Sequence, residues 1–329
     1  MWRAPAETVA AVQSALGSGW EVVTVDAPVS SDGDGAAGSV EAQRAAAGAE
    51  VYIGWGVPPG VAGAAAGTLK WAHTAGAGAG GSITREFRAT GAVLTNSRGV
   101  YAEPIADWVL AAIGFCLQGF HALVAAQRAA RWDKDAFTAA DTRVRELRDT
   151  RVGIVGLGGI GKAVARRCAG LGMTVRAVRR RPSRRRPHGV HWVGGPSDMP
   201  SLARWSDVLV ITVPRTRETE GSIGESVLGE LPRHAYVINV GRGAILDEEV
   251  LLRQLDEGRL AGCVLDVFAW EPLPDDHPFW RHPRVLVSPH VSGVSTRFWE
   301  RETGLIVDNI DRYLGGRRLK NVVDLETGY

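Results

Sequence analysis

Val155-Gly156-Leu157-Gly158-Gly159-Ile160-Gly161 joins an apolar strand pattern over residues 151–155 to a helical pattern over about residues 160–170. Strand, glycine-rich turn and helix in that order form the phosphate-cradling start of a dinucleotide-binding unit. Gly156 permits the tight turn, Gly158 and then Gly159 let backbone approach a pyrophosphate, and Gly161 lets helix pack close on strand. Ile160 opens the helix, whose unpaired N–H groups face the anion. In a chain with 41 glycines the spacing alone means little, so the legible strand and helix on either side decide the reading.

Working outward, the pattern predicts strands at residues 174–178, 208–212, 235–239, 262–266 and 285–287, alternating with helices as in a parallel, doubly wound α/β sheet. Upstream, residues 21–26, 51–55, 69–73 and 93–96 read as strands of a smaller α/β unit. A long helix over residues 102–131 and a charged connector over 133–150 lead from one unit to the other. The last helix, over 296–314, returns to the first unit, and two such crossings put a cleft at the strand C-termini. The expected architecture is therefore α/β, with two doubly wound parallel-sheet domains. A Rossmann NAD(P)-binding domain over residues 99–290 is inserted in a flavodoxin-like substrate-binding, catalytic domain formed by 1–98 and 291–329. A flavodoxin-like domain normally opens with a strand, whereas this chain opens on a helical pattern at 6–18. The first strand is accordingly expected to be missing, with the true start upstream of Met1.

Length and composition agree with two cores: 329 residues, 45% hydrophobic and 22% charged. A net charge of +2 exerts no global pull on nucleic acid or membrane, so any anion site must be local. Cys116, Cys168 and Cys263 sit among apolar residues without metal-ligand spacing and read as reduced core thiols of a cytoplasmic protein, with no metal site. The opening residues lack the apolar core of a signal peptide, and the longest apolar run, 108–120, is too short to span a bilayer.

Chemistry concentrates at three late strand ends: Asn239-Val240-Gly241-Arg242-Gly243, Asp266-Val267-Phe268-Ala269-Trp270-Glu271-Pro272 and Ser288-Pro289-His290-Val291-Ser292-Gly293. Strand C-termini of such a sheet converge on the cofactor crevice. Reducing a 2-oxo acid with a nicotinamide needs a cation to hold the carboxylate and polarise the carbonyl, and an acid to protonate the forming alkoxide. Arg242 suits the first role, because a guanidinium stays charged and grips a carboxylate in a fixed fork. His290 suits the second, and Glu271 would orient its ring and favour the protonated form. Asp266 is placed to orient the nicotinamide carboxamide. Singly, His290 and Glu271 read as a loop histidine and a surface acid. Together, on successive strand ends after a dinucleotide turn, they read as catalytic.

The order of these motifs resembles the D-isomer-specific 2-hydroxyacid dehydrogenase family, which includes glyoxylate and hydroxypyruvate reductases. Further matches are Leu94-Thr95-Asn96-Ser97-Arg98-Gly99-Val100-Tyr101-Ala102 at the family's domain crossing and Val213-Pro214-Arg215-Thr216 through Thr219 and Gly221 at its cofactor-side loop. The resemblance implies Arg242, Glu271 and His290 as the catalytic set, with Val213, Pro214, Thr219, Val240 and His290 on the cofactor side. It also implies the Ala75–Gly78 loop, with Gly76, Ala77 and Gly78, as the backbone that binds the substrate carboxylate, and a homodimer joined through residues 102–131. Trp55 and Tyr101, with the 56–60 loop and Trp270, are expected to shape the substrate pocket.

The second strand of the dinucleotide unit ends Ala177-Val178-Arg179-Arg180-Arg181-Pro182-Ser183-Arg184. NAD-preferring folds of this type carry an acid there for the ribose 2′-hydroxyl; here Arg179 and Arg180 stand in its place, which favours NADP over NAD. A competing reading is a non-catalytic, NAD(P)-sensing binding protein of the corepressor type, which would keep the same scaffold.

Overall fold

The computed structural model describes residues 3–25, 38–138, 144–182 and 185–328. In chain order its helices and strands are α1 (Ala6–Leu16), α2 (Val40–Ala46), β1 (Val51–Gly54), α3 (Pro59–Ala64), β2 (Trp71–Thr74), α4 (Arg85–Thr90), β3 (Val93–Asn96), α5 (Ala102–Leu117), α6 (Phe120–Arg128), α7 (Asp135–Thr138), β4 (Arg151–Val155), α8 (Gly159–Gly170), β5 (Thr174–Val178), β6 (Trp192–Gly194), α9 (Met199–Trp205), β7 (Val208–Ile211), α10 (Glu225–Leu228), β8 (Tyr236–Asn239), α11 (Glu248–Asp256), β9 (Gly262–Leu265), β10 (Val285–Val287) and α12 (Phe298–Leu314). They form two compact units, Met1–Tyr101 with Ser295–Tyr329, and Ala102–Val294.

The strands of the second unit are short, apolar and covered on both faces: β7, β8 and β9 are buried at every residue. Such strands demand helices on both sides, the condition under which parallel sheets occur. Its seven strands run parallel in the order β10-β9-β8-β7-β4-β5-β6. Helices α5 and α8 lie together on one side. On the other, Leu202 of α9, Val227 and Leu228 of α10 and Leu251 and Leu255 of α11 pack on Leu209, Ile211, Val237 and Leu265. Strand order reverses between β4 and β7, the place where open α/β sheets bind ligands beyond their strand C-termini.

The first unit has a parallel three-stranded sheet, β1-β2-β3. Val61 of α3 and Phe87 of α4 cover one face against Ala72 and Leu94. On the other, Val12 of α1 and Ile306 and Ile310 of α12 enclose Trp71. An antiparallel bridge between Thr95 and Val322 brings the C-terminal segment onto β3.

Sequence and structure part in four places. Residues 21–25 form no strand, since Val23 is 59% exposed and pairing there would bury little; Asp26, the last residue expected in it, lies outside the described residues. The long helix expected over 102–131 is two helices, α5 and α6, bent by 70° where Gly119 takes a left-handed conformation (φ 68°) that a continuous helix cannot accommodate. Strand β6 escaped notice because three residues between glycines and prolines give no periodicity. The last helix starts at Phe298, two residues later than the spacing suggests. Every other expected strand appears with its ends within two residues. Among the described residues no single helix is long and apolar enough to cross a membrane, and the 108–120 run falls largely in α5, whose Val109, Ile113 and Leu117 are buried.

Candidate active site

All strands of the second unit being parallel, their C-terminal ends share one edge of the sheet, and the turns there carry the residues singled out above. After β4, Gly156 turns the chain at φ 102°. A Cβ on Gly161 would lie 2.0 Å from the Gly156 carbonyl oxygen, so only glycine lets α8 start this close to β4. Gly158, Gly159 and Ile160 form the N-terminus of α8, where no side chain caps the helix; the first intrahelical bond runs from the Lys162 N–H to the Gly158 oxygen at 3.0 Å. Gly158 and Gly159 are exposed, and among the described residues their N–H groups make no hydrogen bond, leaving them and the positive end of the helix dipole toward solvent. This cradle fits a dinucleotide pyrophosphate.

Beside it, after β7, the Val213 side chain lies against Gly156: a Cβ there would meet it at 2.7 Å. In the loop beyond Pro214 the Thr219 hydroxyl donates to the Pro214 oxygen (2.7 Å) and accepts the Thr216 N–H (2.8 Å), closing the loop on itself. Arg179, at the end of β5, is half-buried and Arg180 is exposed. The Arg180 charge reaches Glu218 of the same loop, whose carboxyl is held below its usual range first by a Thr216 hydrogen bond and also by that charge. Ser183 and Arg184 lie outside the described residues.

The catalytic candidates follow on β8, β9 and β10. Asn239, fully buried at the end of β8, uses both ends of its amide on the next turn: Oδ1 accepts the Gly241 N–H at 3.0 Å and Nδ2 donates to the Arg242 oxygen at 3.2 Å. Val240 is buried beside it. A Cβ on Gly243 would fall 1.7 Å from the Phe268 carbonyl carbon. The turn bearing Arg242 therefore lies directly on the turn bearing Glu271. The half-buried Arg242 guanidinium donates to the Gly241 oxygen at 2.7 Å.

Asp266, wholly buried after β9, acts on the third turn. Its carboxylate accepts the Ser288 hydroxyl (2.6 Å), the Val291 N–H (2.8 Å) and the Ser292 N–H (3.0 Å). Its backbone oxygen accepts the His290 N–H at 2.9 Å. His290 is held at φ 55°, a left-handed conformation costing a non-glycine residue about 1–3 kcal/mol, which persists where surrounding bonds over-determine it. Four bonds from Asp266 do so here.

Glu271 bridges the turns. One oxygen accepts the Phe268 N–H at 2.9 Å; the other accepts from His290 Nδ1 at 2.7 Å. Burial opposes its ionisation, but the His290 and Phe268 hydrogen bonds and the Arg242 charge outweigh it and hold the carboxyl below its usual range. With Nδ1 committed to Glu271, Nε2 is the nitrogen from which the half-exposed imidazole can pass a proton. Arg242, Glu271 and His290 form one constellation.

A model of the D-isomer specific 2-hydroxyacid dehydrogenase NAD-binding domain matches residues 110–292. The chain belongs to this dehydrogenase family. Glyoxylate/hydroxypyruvate reductase A of Yersinia enterocolitica is 39% identical over 178 residues, 54% of this chain and 56% of the relative, so the match spans about half the relative's length. A glyoxylate reductase of Korarchaeum cryptofilum is 32% identical over 251 residues, 74% and 72% of the two chains. A D-isomer specific 2-hydroxyacid dehydrogenase of Xanthobacter autotrophicus, solved with NADPH and MES, superposes with a TM-score of 0.80 at 30% identity, covering 98% of this chain and 95% of that one. An NADPH-dependent glyoxylate/hydroxypyruvate reductase of Sinorhizobium meliloti, solved with NADP and sulfate, gives 0.74 at 28%, covering 85% and 86%.

The substrate-side residues expected of a 2-hydroxyacid dehydrogenase lie in the first unit, where β2 ends in the Ala75–Gly78 loop. Three successive carbonyls are pinned: Ala75 by the Tyr101 hydroxyl (2.7 Å), Gly76 by the Ser97 N–H (3.1 Å) and Ala77 by the Asn96 side-chain amide (2.7 Å). Among the described residues the Ala77 and Gly78 N–H groups make no hydrogen bond. Burial first, then the Glu302 charge, pushes the Tyr101 phenol well above its usual range and keeps it a neutral donor. Trp55 places its carbonyl on the Thr74 hydroxyl at 2.7 Å.

Sequence reasoning missed Asn239, Gly243, Ser288, Asn96 and Ser97 as holders of these groups. Asn239 and Asn96 carried a signal, each an amide closing a strand.

Proposed function

We propose that the protein is a reductase of small 2-oxo acids such as glyoxylate or hydroxypyruvate, yielding D-2-hydroxy acids with NAD(P)H. The observation carrying this reading is the His290–Glu271 contact of 2.7 Å at strand ends shared with Arg242, downstream of a dinucleotide cradle. An idle scaffold of the corepressor type has no need of a proton donor locked in a strained backbone. Arg242 holds the carboxylate and polarises the carbonyl; His290 Nε2 donates the proton to the carbonyl oxygen; Glu271 fixes the ring and stabilises the imidazolium. The bound nicotinamide supplies the hydride.

In this reading residues 102–294 bind the cofactor. Gly156, Gly158, Gly159, Ile160 and Gly161 take the pyrophosphate, Val213, Pro214, Thr219 and Val240 line the cofactor, and Asp266 orients the carboxamide besides anchoring the His290 turn. The other unit binds substrate, with the Gly76, Ala77 and Gly78 backbone on the carboxylate and Trp55 and Tyr101 beside it. NADP is preferred over NAD, since Arg179 and Arg180 follow β5, the strand end at which folds of this type meet the ribose 2′ position; one opposed unit charge at 4 Å is worth about 1 kcal/mol in water and about 4 at an effective dielectric of 20. The NADPH and NADP bound to the Xanthobacter and Sinorhizobium proteins support this choice.

The same reading makes the protein a cytoplasmic homodimer. Three buried free thiols suit a reducing compartment. Phe120, Leu123 and Val124 of α6 and the nearby Trp132, exposed by 46, 42, 38 and 91%, suit a surface covered by a second copy. Sedimentation showing only monomer at micromolar concentration would end the dimer assignment. For the activity, a panel of 2-oxo acids is assayed with NADPH and with NADH. Glyoxylate or hydroxypyruvate should oxidise NADPH faster than NADH; oxidation of neither cofactor by any acid removes the reductase reading.

A further inference from the structure

A second carboxylate stands behind the first. Glu248, at the start of α11, accepts the Ala269 N–H at 2.7 Å, while Glu271 accepts the Phe268 N–H at 2.9 Å. Two acids thus take consecutive amides of one dipeptide, the one whose carbonyl carbon lies where a Gly243 Cβ would have to be. Helix α11 is itself fixed in place, since Asp247 caps it through the Val250 N–H at 3.0 Å and Leu251 and Leu255 are buried. The charged groups acting on Glu248 are His277, Glu271 and Asp247. Its carboxyl is held above its usual range, first by burial and also by the two neighbouring carboxylates, with the Ala269 bond and His277 opposing.

We propose that Glu248 is a positioning residue for the Glu271–His290 pair, joining the turn that carries Glu271 to a rigid helix and adding its negative charge to the field at the imidazole. The inference rests on the reductase reading. Its chemistry has two separable parts. The hydrogen bond fixes where Glu271 sits, and an amide oxygen can replace it. The charge favours the imidazolium that donates the proton, and an amide cannot replace that.

The experiment compares purified full-length wild type with Glu248→Gln, Glu248→Ala and, as control, Glu249→Gln, whose side chain is exposed on the same helix. NADPH-dependent glyoxylate reduction is followed across pH, with thermal unfolding of each variant measured in parallel. Glu248→Ala should lose about tenfold in kcat with little change in the KM for NADPH, the size of one lost charge-assisted hydrogen bond. Glu248→Gln should keep more than half of kcat at acid pH and move the alkaline fall in rate to lower pH, because less negative charge favours loss of the imidazole proton. Glu249→Gln should match wild type. If both Glu248 variants merely melt earlier, while kcat per folded molecule and the pH profile stay those of wild type, the residue is structural only and the proposal is overturned. Should Glu248→Ala fail to fold, an unshifted Glu248→Gln profile overturns it. An inactive wild type would instead strike the reductase reading itself.

Discussion

The ends of β8, β9 and β10 and the end of β5 belong to the same sheet yet are built on opposite principles. At the first, the residues proposed for chemistry are held by close neighbours: the Arg242 backbone by Asn239 and its guanidinium by the Gly241 oxygen, the His290 backbone by Asp266, and the Glu271 carboxylate by the Phe268 amide. At the second, Arg179 is half-buried, Arg180 is exposed, and the Arg180 charge acts on the exposed Glu218. Proton transfer and hydride geometry tolerate errors of a fraction of an ångström, so the first corner is pre-organised. Choosing between a hydroxyl and a phosphate needs only charge at short range, so the second can stay open.

The contrast is broken most directly at His290. Replacing it by Gln should lower kcat by about 10² to 10⁴ while the KM for NADPH changes less than about threefold, measured in steady-state kinetics. Survival of turnover would assign the proton to another group. Arg242→Lys keeps the charge but loses the fork, and should cost about a hundredfold in kcat/KM for the 2-oxo acid. A drop below about threefold would show that the corner is less exacting than its clamps suggest. Asp266→Asn sets an amide against hydroxyl and N–H donors, and should cost about tenfold in kcat along with about 2 kcal/mol of stability by thermal unfolding. If the variant stays fully active, the left-handed backbone of His290 is held by something else.

At the open corner, Arg179→Ala should reduce the NADPH-to-NADH ratio of kcat/KM by roughly tenfold, with turnover at saturating cofactor unchanged. High salt should mimic this effect on wild type, since exposed charges are screened. An unaltered ratio moves the specificity to Arg180 or elsewhere. The smallest effect concerns acid. Glu271 has a folded-state value below its unfolded one, so its stabilisation is present above the ordinary carboxylate range and is lost as pH falls through it. The stability gap between wild type and Glu271→Gln, about 1 kcal/mol at neutral pH, should close as pH drops below about 4 in a pH series of melting curves.

Much of this was legible beforehand where side chains repeat with a period. The burial that makes a parallel strand also makes its apolar run visible, hence β4, β5 and β3 at their bounds; β10 is only partly buried, yet its apolar run alone sets the same bounds. Legibility stopped where geometry depends on one residue or on solvent. Gly119 divides a helix whose composition continues across it, and Val23 lies in an apolar alternation that ends up exposed. At the site, Arg242, Glu271 and His290 announced themselves by type, whereas Gly243 and Glu248 were silent because their work is done on backbone groups that distant turns bring to them.

By itself the amino-acid sequence determined the α/β class, the dinucleotide turn and the identities of Arg242, Glu271 and His290, because periodicity and chemical type are local properties of the chain. Tertiary structure alone decided that Asp266 holds the His290 backbone in a left-handed conformation, that Gly243 abuts Phe268, and that two carboxylates share the Phe268–Ala269 dipeptide. Those contacts join residues far apart in the chain, and only the stacking of parallel strand ends sets the distances between them.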